Sequence, residues 1–170
     1  DCIAVTNVDC RTQVCRRLAS GQGRKSYLLV PNYNSYGLGG KFTISGWIRS
    51  TDSTDTWLHT FFARKNAASD GSGFFLDGRG GNTRKFWVRG ANSTCPSVGS
   101  PDFCGEWLAV AWVFNGTSCG VYFNGALAST LTLGAAATDN GYALAIGNTC
   151  TGAAGNLVGY VDEVRLSGSL

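Results

Sequence analysis

The stretch Phe42-Thr-Ile-Ser-Gly-Trp-Ile-Arg49 decides the fold class of this chain. Phe42, Ile44, Gly46 and Ile48 alternate with Thr43, Ser45, Trp47 and Arg49. That period of two belongs to a half-buried strand, because successive side chains leave opposite faces. Outward from it the same signal recurs. Tyr27–Val30, Trp57–Phe62, Gly73–Leu76 and Phe86–Val88 are short apolar runs, separated by Asp, Gly and Asn clusters that predict turns. Trp107–Phe114 is apolar at both parities, which predicts an inner strand. Val121-Tyr-Phe123 runs into Asn124-Gly125, a strong hairpin signal because both residues accept positive φ. Tyr142–Ile146 and Gly159–Leu166 complete the series. No stretch sustains apolar spacings of three and four, so helices are not expected. Many short strands at regular spacing predict an all-β, two-sheet antiparallel sandwich.

Composition agrees. A chain of 170 residues suffices for one core. Its 24 glycines lack the collagen period and read as turn supply. No apolar run approaches the roughly 20 residues of a membrane span, so no membrane insertion is expected. Methionine is absent and no apolar signal segment follows Asp1, which reads as a processed mature chain.

Seven cysteines and a single histidine, His59, with no CxxC pair, argue for disulfides in an oxidising compartment over zinc. The expected bridges are Cys95–Cys104, closing the loop that holds Pro96 and Pro101, and Cys119–Cys150. Cys2, Cys10 and Cys15 leave an odd thiol that is free, linked to another chain, or paired with a segment outside this sequence. Sequons at Asn92 and Asn115 add to an extracellular, secreted or cell-surface reading. Residues 1–25 carry five basic and two acidic side chains. They read as a basic, disulfide-pinned extension of a sandwich at 26–170.

Four segments in order resemble the laminin G-like, concanavalin A-like jelly-roll family. They are Ser26–Asn32, Phe42–Ile48, Trp107–Trp112 leading through Val121–Gly125, and Ala145-Ile-Gly147 followed by Gly159-Tyr-Val-Asp-Glu-Val-Arg-Leu166. The resemblance covers about residues 26–168 and implies two curved sheets face to face. It also implies extracellular binding or adhesion, often of glycans or glycoproteins, with calcium held by aspartates at strand ends.

Glycoside hydrolysis needs closely placed carboxylates. The only glutamates are Glu106 and Glu163, and Asp162 beside Glu163 should point to the opposite face of a regular strand. No enzyme is expected. Asp162 matches the aspartate of the family's carboxy-terminal signature, and alternation places it with Tyr160, Val164 and Leu166. It either accepts backbone or Arg donors or holds calcium. Arg79, Arg84, Lys85, Trp87 and Arg89 lie in a basic middle region. Lys85, Trp87 and Arg89 should project together, a Trp between cations suited to an acidic glycan. A net charge of only +3 argues against nucleic acid. The resulting expectation is a secreted, non-catalytic module binding glycans or glycoproteins. The alternative is a subunit of an extracellular filament, since the basic middle and the acidic carboxy-terminal half could meet head to tail.

Overall fold

The computed structural model describes residues 3–4, 16–18, 20–21, 24–25, 27–30, 40–51, 59–64, 75–79, 84–89, 96–133, 143–148 and 157–168. Side chains are described from residue 27 onward within these ranges, except at 59, 75, 79 and 89. The strands are β1 (Ile3–Ala4), β2 (Arg16–Leu18), β3 (Ser20–Gly21), β4 (Arg24–Lys25), β5 (Leu28–Val30), β6 (Lys41–Ser50), β7 (His59–Ala63) and β8 (Phe75–Arg79). They continue as β9 (Lys85–Arg89), β10 (Ser97–Gly99), β11 (Leu108–Asn115), β12 (Ser118–Phe123), β13 (Ala126–Thr132), β14 (Leu144–Ile146) and β15 (Gly159–Gly168).

Two sheets form the sandwich. One has seven strands in the order β1-β5-β14-β7-β8-β9-β10, the other six in the order β13-β12-β11-β6-β15-β2. All pairings in them are antiparallel except β1 with β5. Short pieces of the amino-terminal extension thus join both sheets, β1 beside β5 and β2 beside β15. The all-β, two-sheet expectation holds.

The period of two in β6 becomes two environments. Phe42, Ile44 and Ile48 are buried between the sheets, and Trp47 is exposed. Trp112 sits at the centre of the core, with Phe62 edge-on at 5.6 Å and Phe86 tilted at 5.8 Å between ring centroids. Phe42 and Phe114 stack at 4.4 Å on neighbouring strands. The hairpin signal is realised: Asn124 and Gly125 have φ of 48° and 81°, the left-handed pair of a type I′ turn. The segment between Pro96 and Pro101 forms the edge strand β10. That position tolerates flanking prolines because one side of the strand has no neighbour to receive an N–H.

The expected Cys119–Cys150 bridge is corrected at its described end. Cys119 shares the inward parity of Val121 and Phe123 and is a fully buried thiol, so it does not bridge to Cys150. Cys104 is half-buried, with its N–H donated to Asp102 Oδ1 at 2.9 Å. Cys95, Cys150, Cys2, Cys10 and Cys15 lie outside the described residues.

Burial pushes the Cys119 thiol from 9.0 up to about 12. The unfolded chain then ionises first as pH rises. The stabilisation is complete below pH 9.0 and is lost on the way to about pH 12, at about 1.4 kcal/mol per pH unit where only the unfolded thiol is ionised. Urea unfolding of wild type against Cys119→Val is expected to diverge between pH 8 and pH 11, the wild type losing more. Parallel curves would show that this thiol does not contribute.

Candidate functional site

The outer face of the six-stranded sheet carries the site. Strand β11 packs between β12 and β6, and β6 between β11 and β15. Their registers set outward residues side by side. Ala109 stands across from Trp47, which stands across from Asp162. One step along, Leu127, Tyr122, Ala111, Ser45 and Arg165 form a continuous row. Because Ala109, Ala111 and Val113 are small or short, the middle of this face is low. The result is an open groove of about 360 Å³, with Trp47 and Tyr122 as its aromatic walls and Glu163 and Arg165 at its polar side. Trp47 is 40% exposed; among the described residues it and Leu127, at 54%, are the large apolar side chains presented to solvent.

A bulge shapes the polar side. The β15–β6 register shifts between Asp162 and Arg165, and Glu163 takes φ of 46°. This alters the expected alternation. Val161 is buried, and Val164 and Leu166 pack against the core, so Asp162 does not share their face. Asp162 and Glu163 are not on opposite faces either, since the bulge turns both away from the core. Gly46 lies opposite: a Cβ there would stand 3.1 Å from Asp162 O and 3.3 Å from Val164 Cα. Glycine lets the bulge close down on β6. Glu163 Oε2 lies 3.5 Å from Arg165 Nη2, both well exposed, so the pair contributes little to stability and is open to exchange partners. At the far end Asn124 donates its N–H to Ala109 O at 2.9 Å and accepts Ala109 N–H on Oδ1 at 3.2 Å. The hairpin is thereby pinned to the groove floor.

Asp162 was a calcium candidate. Its Oδ1 accepts the Glu163 N–H at 2.8 Å. Among the described residues no three His, Cys, Asp or Glu side chains gather as metal ligands.

The predicted basic strip lies on the other sheet. Phe86 and Val88 are buried while Lys85 is exposed and Trp87 half-buried, the alternation that the sequence predicts for β9. Arg89 holds the next position of that parity, and Arg79 stands across from Lys85 on β8. Arg84 precedes the strand and is ion-paired with Asp102 at 3.3 Å. The structure thus places Arg79, Arg84 and Lys85 at one end of the β8–β9 pair and Arg89 at the other, all on the seven-stranded sheet and away from the groove. Asn115 is exposed at the tip of the β11–β12 hairpin; Asn92 lies outside the described residues.

Sequence reasoning did not single out Trp47, Tyr122, Glu163 or Arg165 as site residues. The signal for Trp47 was present, a large aromatic in the polar register of β6. The apolar outer parity of β11 was read as burial, whereas it is the floor of the groove.

Comparisons with known proteins follow this geometry. The family model described as the concanavalin A-like lectin/glucanases superfamily matches residues 22–169. No curated protein matches the sequence. Among solved structures, the native heptameric SAP-like pentraxin of Limulus polyphemus is similar with a TM-score of 0.68 at 14% identity, covering 92% of this chain and 76% of that one. The CBM40 of the Ruminococcus gnavus IT-sialidase, bound to α2,3 sialyllactose, is similar with a TM-score of 0.67 at 14% identity, covering 92% and 90%. Carbohydrate-binding module CBM66 from Bacillus subtilis gives a TM-score of 0.52 at 11% identity, covering 76% of each chain. At these identities the likeness is one of fold.

Proposed function

The chain belongs to the concanavalin A-like lectin/glucanase superfamily, and from that premise we propose that it is an extracellular, non-catalytic carbohydrate-binding module. Its groove on the six-stranded sheet holds the glycan. The observation that carries this reading is Trp47, exposed beside Tyr122 over a floor of small residues. An aromatic face with a few convergent polar groups is the usual composition of a small-ligand site. Arg165 and Glu163 supply donors and acceptors for hydroxyls. The similarity to carbohydrate-binding modules supports the reading at the level of fold. The basic strip at Arg79, Arg84, Lys85, Trp87 and Arg89 is proposed as an accessory contact for acidic chains. A glycan array probed with wild type and Trp47→Ala tests the proposal. Binding to a defined glycan set that vanishes in the variant supports it; an array silent for wild type refutes it.

Self-association is a second reading, favoured by β13. This seven-residue edge strand, Ala-Leu-Ala-Ser-Thr-Leu-Thr, has neither charge nor proline to guard its free side, and it presents Leu127. Edge pairing of two copies is expected to give a concentration-dependent dimer in sedimentation velocity. Thr130→Lys should shift it to monomer, and a wild type that stays monomeric at high concentration rules this reading out.

A further inference from the structure

Beyond the groove, the same outer face carries a second constellation. Arg49 is the next outward position of β6 after Trp47, and Tyr160 stands directly across from it on β15. Trp107, one residue before β11, continues the register past the Leu108–Ile48 pair and reaches the other flank of Arg49. Strands β11 and β15 lie two strand spacings apart, roughly 9–10 Å. The rings of Trp107 and Tyr160 nevertheless meet at 6.2 Å between centroids, tilted by 53°. They therefore lean over β6 from both sides, across the position of Arg49.

Arg49 is half-buried there, and its Nε is shielded from solvent with no hydrogen-bond partner. Among the described residues no ion pair to it is formed; the nearest carboxylates are Asp162, whose Oδ1 accepts the Glu163 N–H, and Glu163, which pairs with Arg165. Arg49 thus stands on the strand between those that carry the two rings, two positions from an exposed Trp, with no ion-pair partner among the described residues. Guanidinium is weakly hydrated, stacks on aromatic faces, and offers a planar fork of N–H donors matched to a carboxylate. The unused Nε edge is one such fork, and a modest turn of the side chain presents it outward.

We propose that Arg49, flanked by Trp107 and Tyr160, is a carboxylate subsite that continues the groove, so that the ligand is a uronic or otherwise carboxylated glycan lying along β6. The inference rests on the groove reading and adds the ligand class. Neutral sugar units stack at Trp47, and the acidic unit pairs with Arg49. Aromatic walls exclude water from the pair and strengthen it, as for other charge-assisted bonds in partly desolvated sites.

The test uses the whole chain and calorimetric titration with two matched probes, oligogalacturonate and its carboxyl-reduced neutral counterpart. Wild type is expected to bind the acid about tenfold or more tightly than the neutral probe. Arg49→Gln should erase that preference while retaining the neutral affinity, which a misfolded variant would lose. Arg49→Lys, which keeps charge without the fork, should retain only part of the preference. Equal affinity for both probes in wild type, with Trp47→Ala abolishing both, would overturn the subsite and leave the groove intact. A preference lost in Lys85→Ala and kept in Arg49→Gln would overturn it in favour of the basic strip. Failure of both probes while another glycan binds in a Trp47-dependent way also overturns it. If no glycan binds at all, the groove reading falls and the subsite with it.

Discussion

Trp47→Ala is expected to weaken glycan binding by about thirtyfold or more while leaving the fold intact. The residue is 40% exposed, so its removal costs the folded state little packing; changes at such positions usually stay within roughly 0.5 kcal/mol. Binding is different. A ligand seated in the groove covers the indole and expels water from both surfaces, and aromatic anchors of this kind carry about 2 kcal/mol or more, or about thirtyfold in affinity. No neighbouring side chain replaces it, because Ala109 and Asp162 are its cross-strand neighbours. Lys41→Ala, exposed at the far end of β6, serves as the control and should change affinity by less than about threefold. Calorimetry with the best array ligand, beside urea unfolding of each variant, separates binding from stability. A Trp47→Ala protein with wild-type affinity would move the site elsewhere.

The largest effect on stability is expected at Trp112. It is fully buried, lies in the ring cluster with Phe61, Phe62 and Phe86, and has no near substitute in volume. Trp112→Ala is expected to cost about 3–5 kcal/mol, lowering the melting temperature by on the order of 10 °C for a chain of this size. Its indole Nε1 donates to no acceptor in the core. An unmade buried hydrogen bond costs about 1–3 kcal/mol, so Trp112→Phe removes a penalty together with some packing. The Phe variant is therefore expected to lose less than about 2 kcal/mol. Denaturant midpoints at constant slope report both values. A Phe variant as unstable as the Ala variant would show that the indole N–H has a partner in solution.

The fold was legible because its signal is local. Each core strand carries its own alternation, and the Asn124-Gly125 turn carries its own φ preference. Where the reading went astray, the cause was non-local. Asp162 was assigned to the wrong face because a bulge at Glu163 breaks the period, and a glutamate at positive φ leaves no mark in the sequence. What permits it is Gly46, more than a hundred residues earlier and on another strand. The Cys119–Cys150 bridge was expected from position along the chain, whereas parity turns Cys119 into the core. Cysteine spacing does not encode which face a sulfur occupies.

The groove divides in the same way. Trp47 is visible in the sequence as an aromatic in a polar register, and Arg49 follows at the same parity. By itself the sequence determined the strands, the hairpin, the inward faces and the family, because those depend on side-chain period and turn chemistry within short windows. Only the tertiary structure decided that β11, β6 and β15 lie side by side in that order. That order sets Tyr122, Trp47 and Arg165 around one groove and Trp107 and Tyr160 over Arg49. These juxtapositions depend on strand order and register, which are settled by packing between segments up to about a hundred residues apart rather than by any local run of residues.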